Sequence, residues 1–454
     1  MDYVNVIFIL IDTLRKDYAK PLETELKRLD FISYENAIAP APWTIPSHAS
    51  LFTGFYPALH GAHETKSKKG ADVKLNDSYT MTIRLKELGY ESWLLTSNPY
   101  IHPRFGFSGF DYIYEPPLLS KMWDGMLSLS EREKLKRLKQ IHNWKTKSEI
   151  IRILLLEKHF KLLVKISLEH VIRRLYINQA LSMFKGWPKE KGSRDIIEEL
   201  KKSDTLTNEP KFIFINLMEV HEPYSLFEKP IQETLENLKR NKPVDPNLVK
   251  NWRKKYPEEV EYVTKKILEM MRIFKETEIF DDSLIIVTSD HGQLLGEHGR
   301  INHGTFLYDE LLRVPLLIKY PTDYEIEHVT EDSKYISLTK LKPFIFGIIG
   351  NDLDDDSILY EETVFAESYG THLNVGEPSN EEEKRNIEQL EKYRIAIYYK
   401  NFKGIFNVTD WKFEKIKSYD PNIEVTDDIV KHMKKEVIKF LKTATIAKVP
   451  KIKL

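Results

Sequence analysis

Val4-Asn5-Val6-Ile7-Phe8-Ile9-Leu10-Ile11 runs almost without a polar break into Asp12-Thr13-Leu14-Arg15-Lys16-Asp17-Tyr18. Its richness in Val, Ile and Phe reads as a strand. The near-absence of apolar–polar alternation reads as a strand covered on both faces. The same signature returns in Ser92-Trp93-Leu94-Leu95-Thr96, Phe212-Ile213-Phe214-Ile215-Asn216-Leu217 and Ser283-Leu284-Ile285-Ile286-Val287-Thr288. It recurs in Pro315-Leu316-Leu317-Ile318-Lys319 and Thr363-Val364-Phe365-Ala366. Helical patterns lie between these runs, for example Pro257 to about Phe274, and Leu338 to Ile349 ahead of Gly350. The expected fold is α/β, a doubly wound and mostly parallel sheet flanked by helices.

Composition narrows the function classes. The chain has 454 residues, suggesting two domains or one large α/β domain with insertions. Lys and Arg number 68 against 69 Asp and Glu, a net charge of −1. That balance excludes a polycation built to coat nucleic acid, so no specific nucleic-acid binding is expected. With no cysteine in the chain, disulfides, thiolate zinc sites and cysteine nucleophiles are all excluded. The first apolar run is too short to span a bilayer, and no later stretch supplies about 18 uncharged apolar residues. The expectation is a soluble, cytoplasmic protein.

Two regions interrupt the strand–helix rhythm. Residues from about 116 to 207 read as a helical insertion. Within it, 121–175 carries 14 Lys/Arg against 6 Asp/Glu, a local charge of +8. From Ile150 to Leu175 aliphatic and basic residues mix at helical spacing. This suits an amphipathic cap on the main domain; alternatively it attracts anionic substrate or makes peripheral membrane contact. The second region holds Arg394–Tyr399 and Lys403–Val408, two strands around a short turn, followed by a helix from about Asp427 to Lys442. The expected division is therefore a catalytic α/β domain over 1–330 and a smaller α+β subdomain over 331–454.

Ligands of open parallel sheets gather at the carboxyl ends of the strands. Asp12 follows the first strand directly, and Asp290-His291-Gly292 follows Ser283–Thr288. Two carboxylates and an imidazole from separate strand ends suit a divalent cation. Between them lies Thr44-Ile45-Pro46-Ser47-His48-Ala49-Ser50-Leu51-Phe52-Thr53-Gly54. Pro46 and Gly54 mark the beginning and end of a helix, with Thr44 expected just ahead of it, where free N–H groups favour an anion. A hydroxyl there, beside a cation, can become a nucleophile toward phosphorus or sulfur. Alone, however, the segment is better described as an ordinary Thr that begins a helix.

Taken together and in this order, these blocks resemble the sulfatase family of the alkaline phosphatase superfamily. Ser97-Asn98-Pro99-Tyr100 and Tyr308-Asp309-Glu310-x-x-Arg313-Val314-Pro315 strengthen the likeness, which runs from residue 4 to about 320. The resemblance implies hydrolysis of sulfate or phosphate esters, a small anionic ester as substrate and a divalent cation as cofactor. Asp12, Asp290 and His291 match the family's metal ligands, and Thr44 its metal-bound nucleophile. His221, in Met218-Glu219-Val220-His221-Glu222-Pro223-Tyr224, resembles the histidine that assists the leaving group, a fitting role for an imidazole with a pKa near 6.5. His303 falls where relatives place a Lys or His against the oxyanion. His48 stands where sulfatases usually carry an Arg, and Asn98 and Arg15 are further pocket candidates. Calcium, magnesium, manganese and zinc all remain open. A second metal is also open, with Glu219, His221, His298 or His303 as partial ligands.

One departure bears on the substrate. Sulfatases use a Cys, or in some bacteria a Ser, oxidised to formylglycine, whose hydrate releases sulfate by elimination. Thr44 is a secondary alcohol and would give a ketone. An alkoxide must instead form a covalent intermediate that water attacks at the central atom. The reading preferred is phosphate mono- or diester cleavage through Thr44. Sulfuric ester hydrolysis, phospho-headgroup transfer and non-catalytic anion binding are the alternatives.

Overall fold

The computed structural model describes residues 3–76, 80–116, 129–142, 144, 146–167, 186–202, 210–225, 228, 230–331 and 333–448. The central sheet has seven strands: β1 (Asn5–Ile11), β2 (Ile32–Tyr34), β3 (Glu91–Thr96), β4 (Tyr112–Tyr114), β5 (Lys211–Leu217), β6 (Ser283–Thr288) and β7 (Leu316–Lys319). Their spatial order is β2-β7-β6-β1-β5-β3-β4. β1 pairs in parallel with β5 and β6, and β3 in parallel with β5 and β4. β7 is antiparallel to both of its neighbours.

The continuous apolar strands are explained by two cores, one on each face. Val6, Phe8 and Leu10 of β1 pack with Phe52, Phe214 and Phe344. Ile7, Ile9 and Ile11, alternating with them, pack with Trp252, Ile267 and Phe274. Burying each such side chain contributes roughly 1.5–3 kcal/mol, so one polar substitution in β1 would unbalance a whole layer. The helix expected to begin at Pro257 instead spans Pro246–Glu276 with Pro257 inside it. Proline removes one hydrogen bond to the carbonyl of Arg253, an exposed residue. Trp252, Tyr256 and Val260, buried on either side, hold the helix through that gap.

Thr363–Ser368, read above alongside the sheet strands, belongs elsewhere. It forms the edge of an antiparallel four-stranded sheet with Arg394–Tyr399, Phe402–Asn407 and Lys412–Ser418. The closing helix Asp427–Lys448 covers one face, Met433 and Val437 packing on Ile395, Ile397 and Phe406. The Tyr308–Pro315 block ties this sheet to the main one. Asp309 accepts from Lys403 Nζ at 2.7 Å and from the Tyr398 and Tyr419 hydroxyls, each at 2.9 Å. The Arg313 guanidinium lies 4.6 Å from the Tyr419 ring centre.

Within the insertion, helices run over Leu129–His142, Lys147–Leu156 and Ser193–Lys201. Leu138, Trp144, Leu154 and Leu162 form a small cluster of their own. The part of the Ile150–Leu175 segment beyond residue 167 lies outside the described residues. No helix among the described residues is long and apolar enough to cross a membrane.

Candidate active site

Four parallel strands end on one edge, and each delivers polar groups there. Asp12 follows β1, Asn98 follows β3, His221 and Glu222 follow β5, and Asp290 and His291 follow β6. Thr13 sits at φ 62°, a left-handed conformation that strains a β-branched residue. It is held there because Tyr256 donates its hydroxyl to the Thr13 carbonyl at 2.6 Å. The same hydroxyl accepts the Arg15 N–H at 3.0 Å.

Asp12, Asp290 and His291 are fully buried, with ligand atoms all within 4.8 Å of one another. His291 Nε2 stands 3.3 Å from Asp290 Oδ2 and 3.7 Å from Asp12 Oδ1. Its Nδ1 donates to the Gly292 carbonyl at 2.9 Å, which leaves Nε2 with the free lone pair. Asp12 Oδ1 and Asp290 Oδ2 are buried and make no hydrogen bond among the described residues. Burial, with the like charges of Asp290 and Glu222, pushes the Asp12 carboxyl well above its usual range, more than Asn98 and Thr44 pull it down. Burial also raises Asp290, but His291 and His48 more than offset it and leave the group below its ordinary value. Burial keeps His291 neutral. Two orphaned carboxylate oxygens and a neutral imidazole nitrogen are the donor set a hard-to-borderline divalent cation requires.

Thr44 is buried against this group. It is the first residue of the helix Thr44–Thr53, one position further in than expected, with Trp43 as N-cap and Pro46 third. Proline is tolerated there because the first N–H groups of a helix have no intrahelical partner. The Thr44 hydroxyl lies 3.4 Å from His291 Nε2 and 3.5 Å from Asp12 Oδ2.

The remaining candidates fall into two sets. His48 is fully buried, one helical turn after Thr44. Its Nδ1 meets the Thr44 carbonyl at 2.9 Å and stands 3.4 Å from Asp290 Oδ2, while Nε2 accepts from Asn216 Nδ2 at 2.8 Å. Asn98 donates to Asp12 Oδ2 at 2.6 Å. Arg15 is taken up by Asp17 at 2.7 Å, Glu297 at 2.9 Å and the Gln293 carbonyl at 3.1 Å. That geometry supports positioning rather than contact with an anion. The second set is aromatic. His303 lies between His291 and His221, with ring centres 4.5 and 5.1 Å away. Of the other residues named for a second metal, His298 stacks on Tyr308 and faces Glu310 at 3.4 Å. Glu219 instead accepts the Ser193 N–H at 2.9 Å, at the start of helix Ser193–Lys201.

Several residues near the site escaped the sequence reading. Asn216 had a signal, being the polar member of an apolar strand run. Glu222 sits beside a candidate histidine, and Gln293 directly follows Gly292. His372 had none: it comes from the loop after Thr363–Ser368, far along the chain. Its ring lies 5.5 Å from both His303 and Trp43. A Cβ on Gly304 would fall 1.9 Å from His372 Nδ1, and Gly304 has φ +100°, so only glycine admits this approach. Burial, with the nearby imidazoles and Lys69, drives His372 down to about 3. His372 also lines a cavity of about 650 Å³ with Lys66, Lys69, Asp72, Asn374 and Glu391.

A parallel α/β sheet with a hydroxyl at a helix start, set against paired carboxylates on strand ends, is the framework of an ester hydrolase. Residues 4–350 match the sequence model described as Sulfatase, and the chain belongs to that family. An uncharacterized sulfatase of Escherichia coli strain K12 is 23% identical over 449 residues, covering 91% of this chain and 78% of that protein. A low-salt glycan biosynthesis sulfotransferase of Haloferax volcanii is 34% identical over 113 residues, 24% of this chain and 26% of its own length. The phosphonate monoester hydrolase from Silicibacter pomeroyi superposes with a TM-score of 0.63 at 16% identity, covering 99% of this chain and 97% of its own. A 2-O GAG sulfatase superposes at 0.60 and 12% identity, covering 98% and 93%. The central architecture is thus that of sulfatase-fold enzymes, and the chain is an ester hydrolase of this family.

Proposed function

We propose that this protein cleaves phosphate mono- or diesters, with Thr44 as the covalent nucleophile. The observation that carries this reading is the identity and place of residue 44: a threonine hydroxyl within 3.5 Å of Asp12 and His291, in a chain without cysteine. Formylglycine cannot arise there, so elimination of sulfate from an aldehyde hydrate is closed.

A divalent cation held by Asp12, Asp290 and His291 would supply the charge that acidifies the hydroxyl and neutralises ester oxygens. Asn98 and His48 fix the positions of Asp12 and of the Thr44 turn. The Thr44 oxygen forms a bond to phosphorus as the ester P–O bond breaks, and water then displaces Thr44 from phosphorus. The free N–H groups at the start of helix Thr44–Thr53 favour the anionic ester. His221 assists the departing oxygen, and His303 faces the non-bridging oxygens on phosphorus. The cavity beyond His372 is where the rest of the substrate would extend.

The test is turnover of nitrophenyl phosphate, bis-nitrophenyl phosphate and nitrophenyl sulfate by the purified chain and by Thr44→Ala. Phosphate ester cleavage that falls by about 10³-fold or more in the variant is expected, in line with loss of a covalent nucleophile. Sulfate turnover well above phosphate turnover would establish the sulfuric ester hydrolase reading instead.

A further inference from the structure

Near its end the insertion comes up against the active site. Lys191 and Gly192 lead into helix Ser193–Lys201, and both are buried. Gly192 sits at φ +128°, and a Cβ there would fall 2.4 Å from Ser97 Oγ and 2.7 Å from Pro116 Cγ. Only glycine admits so close a seat against Ser97, the residue before Asn98. Lys191 then grips Glu219, two residues ahead of His221. Its Nζ donates to the Glu219 carbonyl at 2.8 Å. Its backbone N–H donates to Glu219 Oε1 at 3.2 Å, where the Ser193 N–H joins at 2.9 Å.

The carbonyl that Lys191 holds lies inside a turn closed by the His221 N–H on the Met218 carbonyl at 3.0 Å. Further along the same loop, the Tyr224 hydroxyl donates to the Val220 carbonyl at 2.9 Å. Gln293 Nε2 donates to Glu222 Oε2 at 2.7 Å, and Gln293 Oε1 accepts from His303 Nδ1 at 2.8 Å. The loop that carries His221 is thus fastened by Gln293 at its exit and by Lys191 at its entrance. Lysine is seldom buried without a partner that needs it. Burial pushes the Lys191 pKa down, and Glu259, Glu219, Glu222 and Glu190 pull it back up. Of these four, Glu219, Glu222 and Glu259 are themselves buried, so deleting Lys191 would leave them without its compensating charge.

The geometry points to Lys191 as a positioning residue that fixes the His221 imidazole through the Glu219 carbonyl. The insertion is then a working part of the active site as well as a cap on the main domain. This role rests on the reading of His221 as the group that assists the departing oxygen. His221 Nδ1 donates to the Glu222 carbonyl at 2.8 Å, which leaves Nε2 as the nitrogen able to exchange a proton with that oxygen.

The experiment compares two esters whose leaving groups differ in their need for a proton. Nitrophenolate departs without one, whereas phenolate gains from one. The full chain is assayed for kcat/KM on nitrophenyl phosphate and phenyl phosphate as wild type, Lys191→Met, His221→Asn and the double variant. Lys191→Met should lose roughly 10-fold or more on phenyl phosphate and less than about threefold on nitrophenyl phosphate. Beside His221→Asn, the Lys191 substitution should lower the phenyl phosphate rate no further, because the two residues act as a unit. Equal loss on both esters, no loss on either, or a loss undiminished beside His221→Asn overturns the proposal. Should Lys191→Met not accumulate as folded protein, Lys191→Gln, with a donor on a shorter stem, takes the same comparison under the same criteria. Failure of both to fold makes Lys191 a structural residue and also overturns it. A wild type that turns over neither phosphate ester overturns the proposed function instead. Phenyl sulfate and nitrophenyl sulfate then carry the comparison, and a chain inert to both series overturns the role of Lys191 as well.

Discussion

Asn98 is a direct test of how the Asp12–Asp290–His291 group is organised. Its Nδ2 donates to Asp12 Oδ2 at 2.6 Å inside a fully buried pocket, and its Oδ1 accepts the Tyr100 N–H at 2.8 Å. The bond occupies one Asp12 oxygen and presents the other, Oδ1, which makes no hydrogen bond among the described residues. A hydrogen bond to a buried charged group contributes about 1.5–3 kcal/mol. Every 1.4 kcal/mol is tenfold. Asn98→Ala should therefore weaken divalent-metal affinity, and with it kcat/KM on bis-nitrophenyl phosphate, by roughly 10- to 150-fold. Asn98→Asp keeps an acceptor for Tyr100 but sets a third carboxylate against Asp12, whose carboxyl burial and its neighbours already push up. It should be the more damaging of the two. Manganese titration by calorimetry and initial rates at saturating manganese separate affinity from turnover. Metal affinity and kcat/KM both within twofold of wild type in Asn98→Ala would refute the reasoning. So would a variant that loses only thermal stability.

Two further outcomes follow from the geometry. Gly304→Ala would place a methyl group 1.9 Å from His372 Nδ1 at φ +100°. Backbone strain of about 1–3 kcal/mol plus displacement of His372 should lower Tm by several degrees and turnover at least tenfold, and a variant matching wild type in both measurements would contradict it. Glu64 is buried between Trp43 Nε1 at 2.7 Å and the Tyr369 N–H at 2.8 Å, and burial raises its carboxyl to about 7 despite those donors. Between an ordinary 4.5 and about 7 the native state keeps a proton that the unfolded chain has lost. Its contribution is complete below pH 4.5 and disappears as pH rises through about 7. The stability difference between Glu64→Gln and wild type should move in favour of the variant by up to roughly 3 kcal/mol between pH 5 and 8, measured by urea unfolding. A pH-independent difference would show that Glu64 does not titrate there.

The layers of the fold were legible because burial on both faces leaves a mark on composition: β1, β3, β5 and β6 each show as apolar runs. Strand direction leaves no such mark, and β7 reads the same whichever way it points. The carboxylates of Asp12 and Asp290 stood out because strand ends are privileged places in a parallel sheet. Pro257 misled for a local reason: tertiary packing of Trp252, Tyr256 and Val260 overrides a break that propensity alone predicts. His372 and Gln293 illustrate the limit. Their significance lies in which distant side chain each one meets, and that is a property of the tertiary fold rather than of any local pattern.

His372 reaches Trp43 and His303 from the loop after the Thr363–Ser368 strand, and Asp309 binds that sheet to the main one through Lys403, Tyr398 and Tyr419. During synthesis, Asp12, Thr44, Asp290 and His291 all emerge well before the strands that position His372. A ribosome-bound chain could already gather those four side chains, yet the side of the pocket that His372 forms would still be missing. The contacts of His372 with Trp43 and His303 therefore await the docking of that last sheet, and a product terminated before residue 363 would lack them.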